Sequence, residues 1–101
     1  MEVKKENQLQ IELNEEIAEG IYANLAIIAH SNSEFVFDFV RMMPGVAKAK
    51  VKSRIVMTPE HAKRLAMALQ DNLRRYEAQF GEIRLPKMNG YHLPADKTVL
   101  N

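Results

Sequence analysis

The most regular arrangement of charged residues in this sequence is a row of cations at every second position, formed by Lys48, Lys50, Lys52 and Arg54. Because alternate residues of a β-strand point to the same face, these four side chains would share one face of a sheet. Such a row is suited to contact the phosphates of a single-stranded nucleic acid, with Tyr22 or His30 as candidates for base stacking. Lysines also guard sheet edges against unwanted strand pairing, so both interpretations stay open.

Two acidic residues on an earlier run qualify the cation row. With the intervening turn centred on Pro44, Asp38 lies opposite Lys50. The same register places Glu34 opposite Arg54. Opposite charges across two strands stabilise a sheet, and they would neutralise half of the row. We therefore expect Glu34 and Asp38 to pair with cations rather than to act as an acid–base pair, which would need a surrounding pocket.

The other reactive residues do not form the sets that catalysis or metal binding requires. The sequence has no cysteine, which excludes disulfides, zinc–thiolate sites and cysteine nucleophiles. The three histidines, His30, His61 and His92, are far apart, and none has a second histidine at metal-binding spacing. The glycines form neither a phosphate-binding loop nor a dinucleotide-binding motif. We therefore expect no enzymatic activity, no catalytic residue, no metal and no cofactor.

Length and charge distribution limit the class of protein. The 101 residues fit one small domain with a thin core. No run approaches the roughly 20 apolar residues of a membrane span, and the charged N-terminus lacks a signal-peptide pattern. We therefore expect a cytoplasmic protein that does not contact a membrane. Residues 1–45 carry a charge of −5 and residues 46–101 a charge of +6, which favours a basic binding surface or two halves that pair.

Four runs have the pattern of β-strands, and they are Gln8–Leu13, Tyr22–Ser31, Glu34–Met42 and Val46–Met57. The second and third are separated by a short polar cluster and are interpreted as a hairpin centred on Asn32. Before the fourth run, Pro44 and Gly45 predict a type II turn, in which glycine supplies the positive φ.

A long helix follows the fourth run. Thr58 is a good N-cap, Pro59 suits the first helical position, and Gly81 is a typical C-terminal stop after Phe80. Asp71 and Arg75 have the spacing of a helical ion pair. The apolar residues fall on one stripe, formed by Ala62, Leu65, Ala66, Leu69, Leu73, Tyr76 and Phe80.

Together these elements predict an α+β fold of order ββββα, a four-stranded antiparallel sheet with one long C-terminal helix packed on one face. Residues 1–7 are expected to be a flexible N-terminus, residues 8–83 a single domain, and residues 84–101 an extended or disordered tail.

The predicted register also divides the side chains between two faces. The face toward the helix would collect Ala23, Leu25, Ile27, Ala29, Phe35, Phe37, Phe39, Ala49 and Val51. The apolar residues of the opposite face would lack a cover, and they are Tyr22, Ile28, Val36, Val40 and Met42. Large uncovered apolar patches mark interfaces, so these five residues are candidates for a homodimer interface. The alternative is an ordinary solvated face, with the N-terminal strand or the tail lying across it.

Three blocks of the sequence resemble an uncharacterised prokaryotic family, domain of unknown function 3467. They are Tyr22–Phe39 (YANLAIIAHSNSEFVFDF), Ser53–Leu65 (SRIVMTPEHAKRL) and Tyr76–Ile83 (YEAQFGEI). The resemblance implies a small bacterial or archaeal cytosolic protein, and it implies no activity, cofactor or catalytic residue. More loosely, the predicted order of four strands and a helix is similar to the repeat units of the PUR-type and Whirly-type single-strand nucleic-acid binders, although fold likeness is weak evidence of function.

The function expected from the sequence is therefore a small non-enzymatic module for interaction or assembly. It would bind a second copy of itself, or an unknown protein partner, through the uncovered sheet face. The alternative is a single-stranded nucleic-acid-binding protein that uses the cations from Lys48 to Arg54.

Overall fold

A computed structural model describes residues 9–86 and 98–100 and has an α+β fold. Its elements are α1 (Glu15–Ala18), β1 (Leu25–His30), β2 (Phe35–Arg41), β3 (Lys50–Met57), α2 (Pro59–Phe80) and β4 (Thr98–Leu100). The first three strands form an antiparallel sheet with β2 at its centre, and β4 pairs antiparallel with the outer edge of β1. The predicted flexible N-terminus, residues 1–7, and most of the predicted tail lie outside the described residues.

The prediction of a first strand over Gln8–Leu13 is wrong. Residues 9–13 have no regular structure, and Leu9 and Ile11 are each 87% exposed. A short alternating run becomes a strand only where a sheet edge accepts its hydrogen bonds. The outer edge of β1 is occupied by β4, and residues 9–13 do not pair with β3 at the other edge. The chain instead forms the single helical turn α1, because the Asn14 side chain accepts a hydrogen bond (3.0 Å) from the Ile17 N–H.

The hairpin between β1 and β2 forms, but its register differs from the prediction by one residue. His30 pairs with Phe35 rather than with Glu34, and Ile28 pairs with Phe37 rather than with Val36. The turn has two central residues rather than one, since the Ser31 N–H donates to the Glu34 carbonyl (2.9 Å). A shift of one residue moves every β1 side chain to the other face. Leu25, Ile27 and Ala29 therefore share a face with Asp38, and the predicted helix-facing set is wrong for β1.

The second connection contains the predicted type II turn and an irregularity that was not predicted. Gly45 has φ +79°, and the Val46 N–H donates to the Met43 carbonyl (3.3 Å), as the turn requires. The connection is longer than expected, so Asp38 pairs with Arg54 rather than with Lys50. A β-bulge breaks the register between Phe39 and Val40, and Lys52 is the extra residue on β3.

The open end of the β1–β2 hairpin is closed by one side chain, that of Asn24. Its Nδ2 donates to the Met42 carbonyl (3.0 Å), and its Oδ1 accepts from the Met42 N–H (2.8 Å). The amide thus copies the pair of hydrogen bonds that the next rung of a ladder would supply. Both groups are partly buried, so the two bonds extend the hairpin beyond its last backbone pair.

The helix begins and ends where the sequence predicts. The Thr58 hydroxyl accepts from the His61 N–H (3.3 Å), Pro59 is the first helical residue, and Gly81 ends α2 with φ +100°. The predicted Asp71–Arg75 ion pair forms at 2.9 Å. The prediction that the helix packs on one face of the sheet is wrong. Ala62, in the first turn, is the only buried residue of α2, and the rest of the helix extends away from the sheet.

The two hydrogen bonds between the Asn24 side chain and the Met42 backbone give a test of the fold. Asn24→Ala removes both hydrogen bonds and leaves the Met42 groups without these partners, so we expect the free energy of unfolding to fall by about 1–3 kcal/mol. Asn72→Ala is the matched control, because the Asn72 side chain bonds only to an exposed helical carbonyl, that of Ala68. Urea denaturation followed by circular dichroism measures both variants. Equal stability of Asn24→Ala and wild type would show that these two hydrogen bonds do not stabilise the hairpin.

Candidate functional site

The centre of the sheet carries one buried charge, the carboxylate of Asp38. Arg54, opposite it on β3, donates from Nε to Oδ1 (2.6 Å) and from Nη2 to Oδ2 (2.9 Å). The Asp38 side chain is 9% exposed, whereas that of Arg54 is 63% exposed. These hydrogen bonds and the charge of Asp38 raise the pKa of Arg54 further above its ordinary value. The pair satisfies a buried carboxylate, so Arg54 serves the fold rather than an external anion.

The other cations of the predicted row gather around a cleft between the end of β2 and the start of β3. We call it the basic cleft; it has a volume of about 260 Å³ and is lined by Arg41, Met43, Val46, Lys48, Lys50 and Lys52. None of its four cations forms an ion pair within the part of the chain that the structure describes. Arg41 lines the cleft but was not among the residues predicted from the sequence. It could have been found, because it ends the strand that pairs with the cation row.

The bulge explains why the row divides. Asp38 and Arg54 lie on one side of it, and the pairing of Arg41 with Lys50 lies on the other. Lys52 is the unpaired residue between them. A bulge changes the direction of the side chains beside it, so Lys50 and Lys52 line the cleft while Arg54 turns to the carboxylate. The predicted pairing of Glu34 with Arg54 is therefore wrong, as is that of Asp38 with Lys50.

The five residues predicted as an interface do not form one surface. Val36 and Val40 lie on the face of Asp38, and Val40 is among the most buried residues, at 3% exposed. Ile28 lies on the opposite face with the phenylalanines, because it pairs with Phe37. Met42 follows β2 as the partner of Asn24, and Tyr22 precedes β1 and is 70% exposed. Whether each residue contacts a partner stays a prediction.

An extended uncovered apolar surface lies on the helix instead. The stripe predicted to pack on the sheet is exposed beyond the first turn, with Leu65 at 42%, Leu69 at 53% and Phe80 at 65%. After Gly81 the chain bends back, and the Ile83 N–H donates to a Glu77 carboxylate oxygen (2.9 Å). A shallow apolar groove of about 450 Å³ results, lined among others by Leu69, Leu73, Tyr76, Phe80 and Ile83.

Among the described residues, no group of three or more His, Asp or Glu side chains is arranged to hold a metal ion. His30 stacks on Phe35 with ring centroids 5.2 Å apart, so its ring packs with the sheet. No helix within the described ranges has the length and apolar character that a membrane span requires.

Comparisons with known proteins place the chain in a family without adding a site. A family model described as "Protein of unknown function (DUF3467)" matches residues 1–85. No curated protein and no solved structure matches the chain. The likeness to PUR-type and Whirly-type units gains no support, since it depended on four strands before the helix and the described residues form three there. The surfaces described above must therefore be interpreted from their own chemistry.

Proposed function

We propose that this chain, which belongs to the family described as Protein of unknown function (DUF3467), is a non-enzymatic module that assembles with a second copy of itself through α2. The observation that carries the proposal is the exposed apolar stripe on a helix of 22 residues. A cytoplasmic location stays an expectation from the sequence.

The spacing of the stripe supports a helical partner. Its central residues alternate intervals of four and three, and they are Ala62, Ala66, Leu69, Leu73, Tyr76 and Phe80. We call these six residues the helix seam. Intervals of four and three are those of the a and d positions of a coiled coil, in which each side chain fits between residues of a facing helix. A helix packed on a sheet needs no such strict repeat.

The distribution of apolar surface supports a partner for the helix. Among the described residues only Leu25, Phe37, Val40 and Ala62 are buried apolar side chains. By contrast, the large apolar side chains of the stripe on α2 are all at least 42% exposed, and they are Leu65, Leu69, Leu73, Tyr76 and Phe80. Contiguous exposed apolar surface of this kind is typical of a protein–protein interface.

The sizes of the seam residues favour an antiparallel pair. In an antiparallel pair the two-fold axis crosses the helices at the level of residue 71, and each layer joins a seam residue of one copy to a seam residue of the other. The layers are Leu69 with Leu73, Ala66 with Tyr76, and Ala62 with Phe80. Small side chains then face large ones, and every layer has a similar width, as close packing requires. A parallel pair would join identical residues, leaving gaps at the alanines and crowding the rings at the other end.

The charges beside the seam favour the same orientation. In the antiparallel register, Lys63 of one copy lies beside Glu77 of the other, and the two-fold axis repeats the contact. In a parallel pair Lys63 would face Thr58, and Glu77 would face Asn72, so neither charge would meet its opposite. These contacts lie at the solvated rim, where they select orientation more than they add affinity.

A pair of matched substitutions tests the assembly. Leu69→Glu places a carboxylate in the central layer, and we expect the dissociation constant of the dimer to rise at least about a hundredfold, because an unpaired buried charge costs about 3 kcal/mol or more. Met67→Glu is the control, because Met67 is 64% exposed and lies on the opposite side of α2 from the seam. Sedimentation equilibrium gives the mass of each protein. A monomeric wild type, or equal masses for the two variants, would overturn the proposal.

The orientation has its own test, which the absence of native cysteines makes clean. We expect Ala66→Cys chains mixed with Tyr76→Cys chains to form a mixed disulfide under mild oxidation, because the antiparallel register places these positions in one layer. Each variant alone would form little disulfide dimer. If Ala66→Cys alone cross-links efficiently and the mixture adds no mixed product, as read by mass spectrometry, the helices are parallel.

A further inference from the structure

We infer that the basic cleft binds the phosphate backbone of a single-stranded nucleic acid without reading its sequence. This inference is independent of assembly through α2, because the cleft lies where β3 begins, α2 follows the other end of β3, and the cleft uses none of the seam residues.

The first support is an unfavourable arrangement that the fold retains. Arg41 and Lys50 are directly opposite each other in the β2–β3 ladder. Like charges at this position destabilise a sheet, and Lys48 and Lys52 add two more cations to the same cleft. Repulsion of this kind is relieved when an anion enters between the charges. Sites that keep such local conflicts are typically functional.

The second support is the concentration of unpaired cations in one concave site. Three arginines outside the cleft, Arg54, Arg64 and Arg75, each have a carboxylate partner at 2.6–2.9 Å. Within the described ranges, the four cations of the cleft have none, and no acidic residue lines the cleft. The cleft is therefore a concave site of one sign of charge, which concentrates anions.

The size and the remaining lining indicate a polymer rather than a small ligand. A volume of about 260 Å³ is below the roughly 300–1,000 Å³ of pockets that enclose a whole small molecule. The cleft lies on β3, which is an edge strand of the sheet, so a chain can pass across it and leave. Its apolar members, Met43 and Val46, are not aromatic, so base stacking is absent from the cleft itself. The contact is therefore to phosphates, whose spacing is the same for every sequence.

The binding residues of the cleft differ by one from the cation row predicted from the sequence. Arg54 leaves the binding set because it holds Asp38, and Arg41 enters it. If the lysines of the row only protect the sheet edge from strand pairing, the cleft should have no affinity for any anion. The experiment below distinguishes this alternative from binding.

The experiment measures binding of the full chain to a labelled single-stranded oligonucleotide by fluorescence anisotropy, over a range of salt concentrations. We expect affinity at low salt that falls as salt rises, with a slope of about −0.7 per phosphate neutralised, or up to about −3 for four cations. Oligonucleotides of unrelated sequence should bind alike. A duplex of the same sequence and poly-glutamate serve as competitors, and each should compete less well than the unlabelled single strand.

Two double variants with equal charge separate the cleft from general attraction. Lys50→Gln with Lys52→Gln should weaken binding at least tenfold. Arg74→Gln with Arg84→Gln removes the same charge from exposed sites outside the cleft and should change it less than twofold. Lys50→Gln alone should also raise the melting temperature of the free protein, because it removes the repulsion by Arg41.

Three results would overturn the inference. They are no binding of the wild type at low salt, equal weakening by the two double variants, and stronger competition by the duplex or by poly-glutamate than by the single strand. Because the oligomeric mass is measured separately, failure of this site and failure of assembly through α2 are distinguishable.

Discussion

The structure depends on a shortage of buried apolar surface. In the described residues only four apolar side chains are buried, those of Leu25, Phe37, Val40 and Ala62. A domain is stable when apolar burial exceeds the loss of conformational entropy, and so small a core contributes little to that balance. The helix that could enlarge the core instead leaves the sheet after its first turn. If the chain assembles as we propose, the helix seam supplies the missing burial.

The sheet separates its charges according to whether the fold needs them. Asp38 is buried at the centre, and Arg54 reaches over it with two hydrogen bonds, so this pair contributes to one defined register. Beyond the bulge the cations stay exposed and repel one another. One extra residue, Lys52, divides a row of four similar cations into a structural member and members available to an anion. The bulge therefore links the packing of the sheet to the binding that we propose for the basic cleft.

Sequence reasoning succeeds here where the signal is local and fails where it depends on a partner. Thr58, Pro59 and Gly81 define the ends of α2, and Pro44–Gly45 define a turn, because each acts through its own backbone. The run Gln8–Leu13 has strand alternation, but alternation does not show whether the run pairs with a sheet edge, and residues 9–13 do not. The predicted register of β1 was wrong because turns with one central residue and turns with two central residues have nearly the same amino-acid composition. The predicted packing of α2 on its own sheet was wrong because an amphipathic stripe indicates an apolar surface and does not identify what covers that surface.

We expect folding of this chain to be coupled to its association through α2. Thermal unfolding at chain concentrations from about 1 to 100 μM measures this coupling, since the stability of an obligate dimer depends on protomer concentration. We predict a melting temperature that rises steadily with concentration, and that becomes independent of concentration in chains linked covalently across the helix seam. A melting temperature that is the same at every concentration, with a single cooperative transition, would show that folding and association are not coupled.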